Sequence, residues 1–109
     1  MKAVVTDLTQ NQMLLWLGQQ LAPESPLYNM VHTFELRGEI NPQYFRAAFQ
    51  ILVNRSDALR TVFEVKDGKP VQKIYESFPY ETEYLDWSIL PNSEEYYKEW
   101  SQERVQKKF

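Results

Sequence analysis

Cysteine is absent from this 109-residue chain, histidine occurs once and glycine three times. The first absence excludes a disulfide framework and any thiolate nucleophile or ligand. A lone histidine, His32, argues against a metal centre, which needs several ligands to converge, so no metal-binding residue is assigned. Gly18, Gly38 and Gly68 are far apart, which leaves no glycine-rich loop to cradle a phosphate and no cofactor-binding residue to name. Long apolar runs are also missing. No window approaches a membrane span, and Met1-Lys2-Ala3-Val4-Val5-Thr6-Asp7 holds too short an apolar run for a signal peptide. Basic residues (12) are outnumbered by acidic ones (15), giving a formal net charge of -3. That balance points to neither nucleic acid nor an anionic membrane as partner. The nearest thing to a basic run, Arg104-Val105-Gln106-Lys107-Lys108, reads as the solvated last turn of a helix. The expected location is the cytoplasm.

What is present is a globular composition, 43% apolar and 15% aromatic, enough for one small core or for part of a larger one. Thr9 and Gln12 have the spacing of a capping box, with Leu8 placed to staple onto Met13. Met13, Leu14, Leu17 and Leu21 then recur at helical spacing with Trp16 on a flank, until Ala22-Pro23 ends the helix. Over 28–37, Met30, His32, Phe34 and Leu36 alternate with Asn29, Val31, Thr33, Glu35 and Arg37. This predicts a strand with His32 on its buried face. Asn41 as N-cap and Pro42 in the first turn open a second helix. Phe45, Ala48, Phe49, Leu52 and Val53 form its apolar stripe.

At Arg55-Ser56-Asp57-Ala58-Leu59-Arg60-Thr61-Val62-Phe63 the helical period gives way to a strand. Arg55 lies in the last helical turn, where a cation complements the macrodipole, and Arg60 at the strand root offers a fork to a carboxylate. Asp67-Gly68 signals a type I′ turn, from which the chain returns through Val71-Gln72-Lys73-Ile74-Tyr75, with Pro70 suited to an edge or strand start. A further extended piece is expected over 80–85. Glu94 and Glu95 begin a last helix that ends among Arg104, Lys107 and Lys108. The pattern as a whole predicts an α/β chain of the α+β two-layer kind. Three helices, near 9–21, 42–55 and 92–107, would lie on a mostly antiparallel sheet of 28–37, 60–66, 70–75 and 80–85. No carboxylate pair is singled out as acid and base, so no catalytic residue is assigned.

Leu8-Thr9-x-x-Gln12-x-x-Leu15-Trp16-x-x-x-Gln20-Leu21, Pro26-x-Tyr28-Asn29, Leu36-x-Gly38, Arg55-Ser56-Asp57-x-Leu59-Arg60-Thr61-x-Phe63 and Gly68-x-Pro70-x-Gln72-x-Ile74 follow one another in order. Together they resemble the opening of a nonribosomal peptide synthetase condensation domain. The resemblance implies a chloramphenicol-acetyltransferase-like fold of two lobes, several times longer than this chain. Residues 1–109 would then be the N-terminal segment of its first lobe. It also implies a parent acyltransferase that joins a carrier-bound acyl or peptidyl thioester to an aminoacyl acceptor. The phosphopantetheine arms would belong to partner peptidyl carrier proteins, and nothing would be bound directly by this segment.

Thr9, Gln12, Trp16, Arg55, Arg60, Thr61 and Phe63 are the residues matching the family's structural motifs, with the arginines bracing the active-site region. Where the second motif usually reads Arg-His-Glu, this chain has Arg55-Ser56-Asp57. The catalytic His-His-x-x-x-Asp-Gly signature does not occur in it. The segment is therefore expected to be scaffold and inactive alone. Its partners would be the remainder of the domain, carrier proteins and, through an exposed sheet edge, copies of itself. Two other readings are a non-catalytic module that binds carrier proteins or neighbouring synthetase chains, and a related acyltransferase using a hydroxyl acceptor or coenzyme A.

Overall fold

A computed structural model describes residues 2–107; the expected place of Lys108 at the end of the last helix lies outside the described residues. In order, the described residues form strand β1 (Ala3–Asp7), helix α1 (Gln10–Leu21), helix α2 (Pro42–Arg55), a single 3-10 turn (Ala58–Arg60), strands β2 (Thr61–Lys66) and β3 (Lys69–Tyr75), and helix α3 (Ser93–Gln106). This is an α+β chain with three helices and a three-stranded antiparallel sheet among the described residues. It divides into two compact units. One comprises 1–13 and 38–84, the other 14–37 and 85–109.

In the first unit the strand order is β1-β3-β2. The hairpin forms as its turn signal requires: Asp67 and Gly68 both take positive φ, 53° and 75°, as the central residues of a type I′ turn must. Lys66 then faces Lys69, and Thr61 faces Ile74. On the other side of β3, Ala3 pairs with Tyr75 and Asp7 with Val71. Pro70 therefore lies one residue beyond the β1 ladder, where its missing N–H breaks no bond to that strand. β1 is an addition to the expected sheet. Its signal is the β-branched run Val4-Val5-Thr6, three residues that by themselves do not distinguish a strand from a short apolar start.

α2 starts and stops where the sequence places it. Asn41 accepts hydrogen bonds at Oδ1 from the amides of Gln43 (2.9 Å) and Tyr44 (3.2 Å), two of the donors a helix start leaves unpaired. Burial departs from expectation. Only Val53 (2% exposed), Val71 (8%) and Pro70 are buried apolar residues among those described, while Phe45 and Leu52 of the α2 stripe stay exposed, as do Leu14, Leu17 and Leu21 of α1. The helical periodicity is real, but most of these apolar faces are not covered by any described residue.

The stretch 80–85 is not a strand. Tyr80 gives its amide to Oε1 of Gln50 on α2 (2.8 Å), and its ring lies 5.3 Å from that of Phe49. Gln50 also donates through Nε2 to the Phe78 carbonyl (3.0 Å). A helix side chain has taken the backbone group that would have begun a ladder.

The second unit corrects another expectation: 28–37 runs without strand pairing to any described residue, and every residue from 31 to 37 is exposed, His32 included. Phe34 is 84% exposed. Alternation alone does not supply a neighbour for the ladder. In α3, Glu94 and Glu95 occupy the first turn and Arg104 the last, matching the helix dipole. Three aromatic side chains here form one cluster. Trp87 approaches Tyr96 (6.3 Å between centroids) and Trp100 (6.1 Å, edge on), and the Arg104 guanidinium lies 5.0 Å from the centre of the Trp100 ring. Before the helix, Asp86 accepts from the Ser88 amide (3.0 Å), and hydrogen bonds from Ser88 hold its carboxyl below the usual range.

Candidate functional site

The densest polar constellation in the first unit is built on Arg60. The end of α2, the 3-10 turn and the start of β2 bring its side chain inward, leaving it 10% exposed. Nε donates to the carbonyl of Val53 (3.0 Å), Nη1 to those of Tyr75 (2.5 Å) and Glu76 (3.3 Å), and Nη2 to Oδ1 of Asp57 (2.6 Å). One planar fork thus joins the last turn of α2 to the end of the central strand. Val53 is also the most buried apolar residue described, so the fork lies over the core. The carboxylate that the fork meets is Asp57, a local one three residues away and 77% exposed, not an acid from elsewhere in the chain. Three of the four acceptors are backbone carbonyls, groups that must find partners when they leave water.

Around this fork the seam is closed by short-range bonds. The Ser56 amide donates to the Val53 carbonyl (3.3 Å) and the Arg60 amide to that of Asp57 (3.0 Å). Thr61 gives its hydroxyl to the Asp57 carbonyl (2.6 Å). Asp57, which stands where the related motif has a longer acid, therefore binds the guanidinium through its side chain and caps the turn through its backbone. Arg55 is exposed on the last turn of α2 and shares none of these bonds. Phe63 sits in β2 opposite Gln72, half exposed.

A second constellation ties the start of α1 to the sheet. The Thr9 amide donates to Oε1 of Gln12 (2.8 Å) and the Gln12 amide to Oγ1 of Thr9 (3.2 Å), a reciprocal capping box. The same Gln12 side chain donates from Nε2 to Oε1 of Gln72 on β3 (3.1 Å), and Gln72 donates from its own Nε2 to the carbonyl of Asp7 at the end of β1 (3.1 Å). The capping spacing reveals only the first half of this chain of bonds. Its second half leaves no local trace beyond the place of Gln72 among the motif residues. Trp16, in the other unit, is half-buried.

These two constellations join the end of α2 and the start of α1 to the sheet. His32 is exposed on the unpaired stretch and belongs to neither constellation. Among the described residues no three His, Cys, Asp or Glu side chains converge as metal ligands, and no helix is long and apolar enough to cross a membrane. Clefts open on both units, among them one of about 880 Å³ lined by Pro42, Tyr44, Arg46 and Tyr84. One of about 600 Å³ lies between Thr33, Phe34, Glu35 and residues Glu94, Tyr97 and Lys98 of α3. Another, about 270 Å³, lies at the start of α2, between Phe45, Arg46 and Tyr84.

A family model described as the condensation domain matches residues 2–109. The chain is 42% identical over 82 residues to one of the plipastatin synthase subunits of Bacillus subtilis (strain 168), covering 75% of this chain and 3% of that protein. To surfactin synthase subunit 1 of the same organism it is 37% identical over 75 residues, 69% of this chain and 2% of the relative. To bacitracin synthase 3 of Bacillus licheniformis it is 35% identical over 77 residues, 71% of this chain and 1% of the relative. The chain thus spans a few per cent at most of the length of these relatives. No solved structure matches.

Proposed function

This chain belongs to the condensation-domain family, and we propose that it is the N-terminal scaffold segment of a nonribosomal peptide synthetase condensation domain. In the complete domain an amine nitrogen of the acceptor attacks the thioester carbonyl of the donor. The C–N bond forms, the C–S bond breaks, and the amine proton is passed on as the thiol leaves. Such a step needs both reactants held in line and a group positioned to take the proton. The proposed contribution of this segment is the first requirement only, as part of the framework.

The observation that carries the reading is the Arg60 fork. It spends its donors on backbone carbonyls of α2 and of the end of β3, which serves to fix a helix against a sheet. The family's catalytic histidine pair has no counterpart in a chain with one histidine. Phosphopantetheine would arrive on partner carrier proteins. The clefts described are lined within single units and include no histidine, which does not suit them to hold and activate such an arm; no step is drawn through it. The uncovered faces of α1 and α2, and the outer edges of β1 and β2, suit the remainder of the domain, or a second copy, as the surface that covers them.

The test is to load donor and acceptor carrier proteins, add this chain in excess, and look for condensed product by mass spectrometry. None is expected from the chain alone; product is expected when the remainder of a condensation domain is supplied. Product from the chain alone that disappears in His32→Ala would overturn the scaffold reading.

A further inference from the structure

Of the motifs in the sequence, Pro26-x-Tyr28-Asn29 takes no part in either constellation above. We infer that Tyr28 and Asn29 form a clasp holding the start of the 28–37 stretch to two helices of the second unit, with Gly18 as the seat that the clasp requires.

Asn29 donates from Nδ2 to the carbonyl of Val105 (3.0 Å) and to that of Lys107 (2.7 Å). These lie at the C-terminal end of α3, where the last carbonyls of a helix have no partner within it. A carboxamide nitrogen carries two hydrogens, one for each carbonyl, and two acceptors fix its orientation. The helix closes itself only weakly there, through the Lys107 amide to the Arg104 carbonyl at 3.4 Å. A side chain more than seventy residues away in sequence thus supplies the cap.

Tyr28 points the other way, onto α1. A Cβ added at Gly18 would collide with the Tyr28 hydroxyl and lie 3.0 Å from Cζ and 3.1 Å from Cε2 of the ring. Glycine weakens a helix interior, and its φ at this position is not positive, so what Gly18 provides is room for the ring. The approach to the clasp is fixed as well. Gln19 of α1 donates from Nε2 to the carbonyls of Ala22 (3.1 Å) and Ser25 (3.0 Å), and the Asn29 amide closes a turn on the Pro26 carbonyl (2.9 Å). Two consecutive side chains therefore join α1 to α3, while the residues after Met30, 31–37, stay exposed. These contacts all lie within the second unit, so the clasp stands apart from the scaffold role proposed for the chain.

Amide hydrogen exchange at the last turn of α3, corrected for intrinsic rates, tests it in the 109-residue chain. Asn29→Ala removes two hydrogen bonds and should lower protection there about tenfold. Asn29→Asp should lower it further at neutral pH, because a carboxylate then faces two carbonyls and the negative end of the helix. That carboxyl would have a raised pKa in the folded chain. The added loss should be present above this pKa and disappear as the pH falls through it, when the protonated group can again donate. Gly18→Ala should lower protection with Tyr28 in place and have no such effect in a Tyr28→Ala background. Protection that is absent in the unsubstituted chain would overturn the clasp. So would Asn29→Ala and Asn29→Asp behaving alike at every pH, or an equal loss from Gly18→Ala in both backgrounds.

Discussion

Strand β2 of the hairpin and the stretch 28–37 carry the same alternation of apolar and polar residues, yet only the first is sheet. The residues directly after each run make the difference. After Lys66 the chain meets Asp67-Gly68, takes two positive φ values and returns in register. After Arg37 it meets Gly38, whose φ is 128°, and runs on to Asn41, the N-cap of α2. The first run is handed a partner by its own turn; the second is led away into a helix. Alternation therefore states which face of an extended segment is apolar, while the turn chemistry beside it decides whether a ladder forms locally.

Substitutions with the same chemistry in the two regions should separate them. Lys73→Pro, in the strand paired on both sides, removes a ladder donor and should cost about 2–3 kcal/mol in urea unfolding. Thr33→Pro, on the unpaired stretch, should stay within about 0.5 kcal/mol; equal costs would mean that 28–37 is paired after all. Next in size is Gly68→Ala, expected to cost about 1–2 kcal/mol because the residue must keep a positive φ. Circular dichroism should show the loss as strand signal. Thr9→Ala, which breaks the capping box and loosens Gln12, should cost about 1 kcal/mol and lower helix content. Smallest of all should be Phe34→Ser, within about 0.5 kcal/mol for a ring 84% exposed. A larger loss would show that ring to be packed.

Much of the first unit is legible in the sequence because its signals are local. Asn41-Pro42 set the start of α2, Thr9 and Gln12 cap α1, and Asp67-Gly68 turn the hairpin. The features that escape a sequence reading depend on partners distant in the chain. β1 is five residues long and becomes a strand by lying against β3; its β-branched run is too short to be read alone. The stretch 80–85 loses its ladder to Gln50, a competitor that no periodicity reveals. At Arg60 the fork is visible from its place at the strand root, but neither its local acid, Asp57, nor the three carbonyls that occupy most of it are. Asn29 and Gly18 carry no readable sign of their roles, since a cap supplied from the far end of the chain has no sequence spacing.

The most direct test of the bracing role is to compare Arg60→Ala with Asp57→Ala in the same urea unfolding experiment. If the guanidinium serves chiefly the carbonyls of Val53, Tyr75 and Glu76, Arg60→Ala should cost about 3 kcal/mol, as expected for charged hydrogen bonds over a core. Asp57→Ala should cost at most about 1 kcal/mol, because its carboxylate is largely in water. Arg60→Lys should recover only part of the loss, since an ammonium cannot span the separate acceptors. Equal losses from Arg60→Ala and Asp57→Ala would contradict this and assign the bracing to the ion pair.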